Sequence, residues 1–157
     1  MCSSDLLGIC FEPQHNDQLI FKPFFNEDFL ALLPKDHVLA KHQSVTWQEL
    51  CSYPFITLQK PSIIRHVVEE KCAQNDLILD LKIECHQISS LSHFVAFGMG
   101  VSAIPRHFQN YIDKENNLLI EIEDGQVNLP VGVIYKKDFE LSNISSQFIE
   151  TLLAYQF

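Results

Sequence analysis

Positions 98–103, Gly98-Met99-Gly100-Val101-Ser102-Ala103, spell G-x-G-x-x-A, the outline of a dinucleotide-binding fingerprint. That chemistry needs a strand, then the glycines, then a helix, so that the free N–H groups of the helix start face a pyrophosphate. The surrounding pattern runs the other way. Leu91, Phe94, Val95 and Gly98 recur at helical spacing before the glycines, and Val101–Ile104 reads as a strand after them, stopped by Pro105. The glycines therefore fit a helix C-terminus, where glycine adopts the left-handed φ that ends a helix at low cost. No cofactor follows from them. A nucleophile elbow fails on the same stretch, since Gly100-Val101-Ser102-Ala103-Ile104 lacks the closing glycine of G-x-S-x-G.

Other residue types with chemical potential are equally unassembled. His66, His93 and His107 fall on or beside expected helices without a spaced acid or cysteine, and read as surface or hydrogen-bonded core histidines. There is no H-E-x-x-H, Walker A or calcium-loop string. Cys2, Cys10, Cys51, Cys72 and Cys85 form an odd set without a C-x-x-C pair, which suits free thiols in a reducing cytoplasm better than a disulfide framework. A zinc site is the other reading of these residues. Cys85 and His86 are neighbours in an expected strand, however, so they point to opposite faces and cannot both meet one metal there. The expectation is a protein that is not an enzyme and holds no metal.

Stepping outward, 157 residues allow one ordinary domain or two small lobes, and 46% hydrophobic residues imply a packed core. Eleven Lys and Arg against twenty Asp and Glu give a net charge of −9, with Lys136-Lys137 the one adjacent basic pair. Phosphate-gripping surfaces cluster Lys and Arg, so this segment by itself is expected not to bind nucleic acid. No apolar run approaches the roughly 20 residues of a membrane helix, and MCSSDLLGIC lacks the basic and apolar regions of a signal peptide. A cytoplasmic location is expected.

The order of elements follows from spacing. DLLGIC, LIFKPFF and DFLALLP read as strands, the last two separated by a polar break at Asn26-Glu27-Asp28. Thr46 and Glu49 stand three apart before Leu50, a capping box for a short helix that must finish before Pro54. Phe55–Leu58 is an apolar strand. A helix begins at Ser62 with Ile63, Ile64, Val67, Val68 and Cys72 on one stripe, ending at Asn75-Asp76. Residues 79–85 alternate as a half-buried strand. Ser89 or Ser90 caps the next helix, and a weaker helix covers about 106–112. Strands follow at Leu118–Ile122 and Val131–Tyr135. A last helix, capped at Ser142, is expected to bury Ile144, Phe148, Ile149, Leu152 and Leu153. Alternating strands and helices indicate an α/β protein.

Five stretches, in order, resemble the effector-binding region of LysR-type transcriptional regulators. DLLGIC resembles the family's "DLGI" strand, and PFFNEDFLALLPKDHVLA (23–40) its "PLFxExLxLVxPxxHPLA". VTWQELCSYPFITL (45–58) is similar to "VxWxdLxxxPfI". SLSHFVAFGMGVSAIP (90–105) matches "xLVaaGlGvsxlP", the most specific of the five. LPVGVIYKKDFELSNISSQFIETL resembles the closing "rxvxLixrxxxxLSPaaxaFixxL", with Asn143 where the family often has proline. Nothing here matches the family's winged helix-turn-helix, its linker helix, or the strand-helix units that precede "DLGI". The resemblance implies the C-terminal part of such a regulator, with a fold of the type 2 periplasmic-binding-protein-like kind. Two α/β subdomains would be joined by two crossing strands, the effector lying between them. Subdomain I would be residues 1–31 and 128–157, incomplete, and subdomain II residues 32–127. The crossings would fall near Leu32-Leu33 and Val127–Leu129.

The function so implied is a ligand sensor that controls a DNA-binding domain lying outside this segment. A solute-binding protein of a transporter would share the fold, and a truncated remnant without independent activity is a further alternative. DLLGIC, lacking the strands that flank it in the family, would present an open edge, so self-association is expected. The expected effector is a small anion, a carboxylate for example, at the start of the helix after Ser62, where strand Phe55–Leu58 delivers the chain to a positive helix end. Expected contact residues are Thr57, Gln59, Ser62, Arg65, Ser102, Ile104 and Pro105. Arg65 lies in the helix's first turn, where a cation is disfavoured by about 0.3–1 kcal/mol unless an anion offsets it. The plainer alternative is that Ser62 only caps the helix while Arg65 is solvated and paired with Glu69 at i+4.

Overall fold

A computed structural model describes residues 7–13, 16–138 and 140–155, with backbone alone at 124 and 125. Seven strands and four α-helices are assigned in it: β1 (Gly8–Phe11), β2 (Leu19–Pro34), β3 (Ser44–Val45), α1 (Trp47–Cys51), β4 (Phe55–Leu58), α2 (Ile63–Gln74), β5 (Leu81–Cys85), α3 (Ile88–Ala96), β6 (Ser102–Pro105), β7 (Asn117–Lys136) and α4 (Asn143–Ala154). The architecture is mixed α/β. Contacts divide the chain into two compact units, one holding the described residues up to Glu27 and from Asn128 onward, the other Asp28–Val127.

In the Asp28–Val127 unit, β4 and β5 run parallel, with Thr57 opposite Glu84 and Leu58 opposite Cys85. Val101 bridges Phe55 in parallel on the other side of β4. β6 then pairs antiparallel with the end of β2, Ile104 opposite Leu30 and Pro105 opposite Phe29. Trp47, Leu50, Phe55, Ile56, Val68, Leu91 and Ile104 are fully buried among these layers. Each such side chain contributes about 1.5–3 kcal/mol through removal from water. Helix α1 carries the expected capping box: the Thr46 hydroxyl accepts from the Glu49 N–H, and the Glu49 carboxylate accepts from the Thr46 N–H.

The other unit pairs β1 antiparallel with β7, Gly8 opposite Ile134 and Phe11 opposite Val131. Val133, Tyr135 and Ile149 form its core, with Leu7, Ile20 and Leu141 against them. Among the described residues β1 is an edge strand of its sheet, whose order is β1-β7-β2-β6. Of the DLLGIC stretch, residues 1–6 lie outside the described part.

Several expectations need correction. Asn26-Glu27-Asp28 does not break a strand; β2 runs unbroken for 16 residues. Period-2 alternation puts Glu27 alone of the three on the buried side, and an extended chain tolerates that without a turn. Likewise the two expected strands at Leu118–Ile122 and Val131–Tyr135 are parts of one 20-residue β7. Helix α3 starts earlier than expected, with Gln87 rather than Ser89 or Ser90 at its N-cap. The weak helix after Pro105 is a 3-10 helix, Arg106–Tyr111. In α4, Ile144 is 80% exposed, Phe148 45% and Leu153 42%, while Ile149 is buried. That helix has an amphipathic sequence whose apolar side is only partly covered.

Candidate functional site

Strand β4 is buried at all four positions and hands the chain to Gln59, where the backbone turns: the Gln59 N–H donates to Cys85 O at 2.9 Å and the Ser62 N–H to Gln59 O at 3.0 Å. Helix α2 opens there. Ser62 has the extended backbone of an N-cap, yet its side chain makes no cap hydrogen bond. Thr46 of α1 and Ser142 of α4 both make theirs. The Ser62 hydroxyl is therefore uncommitted, and the first-turn N–H groups of α2 lack a side-chain acceptor.

Arg65 is buried, not solvated. Its Nε donates to Glu69 Oε1 at 2.9 Å and its Nη1 to Glu84 Oε1 at 3.0 Å. The cation in the first turn is thus offset by two of the chain's own carboxylates. Burial pushes the Glu69 carboxyl upward, but hydrogen bonds from Lys60 and Arg65 outweigh it and hold the group below its ordinary value. The i+4 pair with Glu69 was visible in the sequence. Glu84 was not, because its approach depends on the β4–β5 register that sets it beside Thr57.

Thr57 Oγ1 and Ser102 Oγ are each fully buried without a hydrogen-bond partner. Alternation from the Phe55–Val101 bridge puts Thr57 on the face of Phe55 and Ala103, whereas Ser102 and Ile104 share the opposite face with Ile56. The expected contact set is therefore split. Thr57, Arg65 and Glu84 come together on one side of the sheet, and Ser102 does not join them. Gln59 is exposed and bonds the His86 ring at 2.7 Å. Ile104 and Pro105 are buried in pairing with β2.

The two glycines resolve differently. Gly98 has φ of +72° just past the end of α3, the left-handed position expected of a helix stop. Gly100 serves close approach: a Cβ there would lie 2.4 Å from the Pro54 carbonyl oxygen, the atom that accepts the Val101 N–H. Among the described residues no group of three or more His, Cys, Asp or Glu is placed to hold a metal ion. No helix among them is long and apolar enough to cross a membrane. A cavity of about 380 Å³ lies in the other unit, lined by residues that include Glu12, Asp17, Phe21 and Lys137, and none of the expected contact residues borders it.

Comparison with known proteins decides the family. The model of the LysR substrate binding domain matches residues 7–156. The chain belongs to that family. This LysR domain is 29% identical over 153 residues to the uncharacterized HTH-type transcriptional regulator YbhD of Escherichia coli K12, covering 98% of this chain and 48% of the relative. It is 26% identical over 143 residues to the transcriptional dual regulator GltC of Bacillus subtilis 168, covering 91% and 48%. It spans about half the length of these curated relatives. The regulatory domain of CcmR from Synechocystis PCC6803, solved in complex with 2-PG, superposes with a TM-score of 0.82 at 22% identity, covering 94% of this chain and 72% of that one. The effector-binding domain of QuiR, solved with shikimate, gives 0.80 at 18% identity, covering 94% and 69%. The LysR domain thus has the mixed α/β fold of LysR effector-binding domains, in a family of regulators and not of enzymes.

Proposed function

We propose that this LysR domain senses a small anionic metabolite, held where β4 meets α2, and passes the signal to a DNA-binding part of the regulator outside this segment. The observation that carries the reading is the uncommitted N-terminus of α2, a serine in capping position whose hydroxyl caps nothing, together with the buried and unpartnered hydroxyl of Thr57 on the strand that leads to it. An anion there would accept from the first-turn N–H groups and from Ser62, with the helix dipole in its favour. Thr57 is a further donor. Arg65 acts through Glu69 and Glu84, fixing the first turn rather than meeting the ligand. QuiR's effector domain was solved with shikimate, a carboxylate, which supports the ligand class. The net charge of −9 supports leaving DNA contact to another part of the protein. The sensor works in the cytoplasm, and β1, an edge strand among the described residues, with the apolar side of α4 supports self-association.

The test is thermal unfolding against a panel of small carboxylates, repeated with Ser62→Ala and Thr57→Val. A true effector at about 100 times its dissociation constant stabilises the wild type by about 2.7 kcal/mol. Both variants fold without ligand, since neither hydroxyl has a partner to lose, and both lose most of the ligand-induced gain. A stabilising carboxylate whose effect survives both substitutions places the effector elsewhere.

A further inference from the structure

Cys51, the last residue of α1, and Cys72, near the end of α2, put their sulfurs 3.2 Å apart inside the Asp28–Val127 unit. Both are unbridged and both are buried, at 7% and 4% exposure. Two thiols used only as small apolar fillers would settle farther apart, since even carbon–carbon contacts optimise at about 3.5–4.0 Å. The short distance is that of a shared proton. We propose that Cys51 and Cys72 form an oxidisable dithiol, in which a hydroperoxide converts the pair to a disulfide that ties α1 to α2.

The two sulfurs have different parts. The hydrogen bond between the two sulfurs, with burial behind it, pushes the Cys51 thiol above its ordinary value. The same bond draws the Cys72 thiol below its ordinary value; burial and the Glu69 carboxylate oppose this, while the Arg65 guanidinium assists. Cys72 is therefore the nucleophile and Cys51 the resolving thiol. The Cys72 thiolate attacks one peroxide oxygen, the O–O bond breaks, and the alcohol leaves after taking up a proton. Cys72 is left as a sulfenic acid. The Cys51 sulfur then attacks the Cys72 sulfur, the S–S bond forms, and the hydroxyl departs with the Cys51 proton as water. Two thiols are oxidised by two electrons and one hydroperoxide is reduced to alcohol and water. Cys10 and Cys85 lack this arrangement, and burial alone pushes both thiols up.

The experiment treats the reduced chain with hydrogen peroxide and maps its peptides without reduction. A cross-link joining the Cys51 and Cys72 peptides is expected, reversed by dithiothreitol, with Cys72 consumed about tenfold faster than Cys85. In Cys51→Ser the sulfenic acid on Cys72 persists and is trapped by dimedone; in Cys72→Ser neither adduct nor cross-link forms. Wild-type mapping stands alone if a variant fails to fold. Equal oxidation of Cys72 and Cys85, or a cross-link that leaves out either member of the pair, overturns the proposal.

Discussion

Helices α2 and α4 invite comparison because each is 12 residues long, begins after a serine and carries apolar residues at helical spacing. Their fates differ. In α2 the stripe of Ile64, Val67, Val68 and Cys72 is buried, and Arg65 is drawn under with it. In α4 the buried positions are Ser145 and Ile149, while Ile144 stays largely in water and Phe148 and Leu153 are only partly covered. An amphipathic pattern states which side of a helix seeks cover; only the neighbouring layers supply it. Strands β4 and β6 supply it to α2. Around α4 the described strands reach one side alone.

The sharpest break in this comparison is a matched truncation. Phe55→Ala, in the fully covered layer beside α2, is expected to cost about 3–5 kcal/mol in urea unfolding. Phe148→Ala, on the open side of α4, should cost less, about 1–2 kcal/mol, because a side chain that is 45% exposed has less burial to lose. Equal losses would mean that the α4 side is covered in solution. A second test asks by what. If self-association covers it, Ile144→Glu with Phe148→Glu should shift sedimentation from dimer or larger species to monomer, since two buried charges cannot stay unpaired. An unchanged distribution would exclude α4 from any self-contact.

Smaller effects separate the helix starts. Thr46→Ala removes a working cap and should cost about 1 kcal/mol, whereas Ser62→Ala removes none and should cost no more than a few tenths. At α1 the effect carries a pH signature. The Thr46 N–H and hydroxyl hold the Glu49 carboxyl below its ordinary value. A depressed carboxylate adds stability that is present above its unfolded pKa and is lost as pH falls through the folded value. The difference between wild type and Glu49→Gln should therefore exist at neutral pH and vanish in acid, read from unfolding midpoints across a pH series.

Local signals were the legible ones. The Thr46–Glu49 box, the apolar run of β4 and the helix-then-glycine order around Gly98 each depend on residues a few positions apart, and the structure keeps all three. Signals that depend on partners far along the chain were not legible. The polar triplet at Asn26–Asp28 looked like a turn because only the pairing of β2 shows Glu27 facing inward. Arg65 reads as an effector contact, or else as a solvated partner of Glu69, because Glu84, its second carboxylate, comes from another strand. The spacing groups Ser102 with Thr57 as contacts of one ligand, and only the Phe55–Val101 bridge fixes the parity that separates them. The 3.2 Å approach of Cys51 and Cys72 is of the same kind, two thiols 21 positions apart with no motif to announce them.

The pairing of β1 with β7 has a consequence for how the chain reaches this state. The register Gly8 to Ile134 joins positions near opposite ends of 157 residues, while β4 meets β5 across a short stretch, Phe55 to Leu81. Closing the longer loop forfeits more chain entropy before any contact rewards it, so high contact order assigns that step to the slow, late part of folding. At synthesis rates of about 5–20 residues per second, β1 leaves the ribosome on the order of ten seconds before its partner exists. Through that interval Ile9 and Phe11 wait without the β7 backbone they face in the folded state, and the nascent chain's exposure to chaperones and to mispairing is set there.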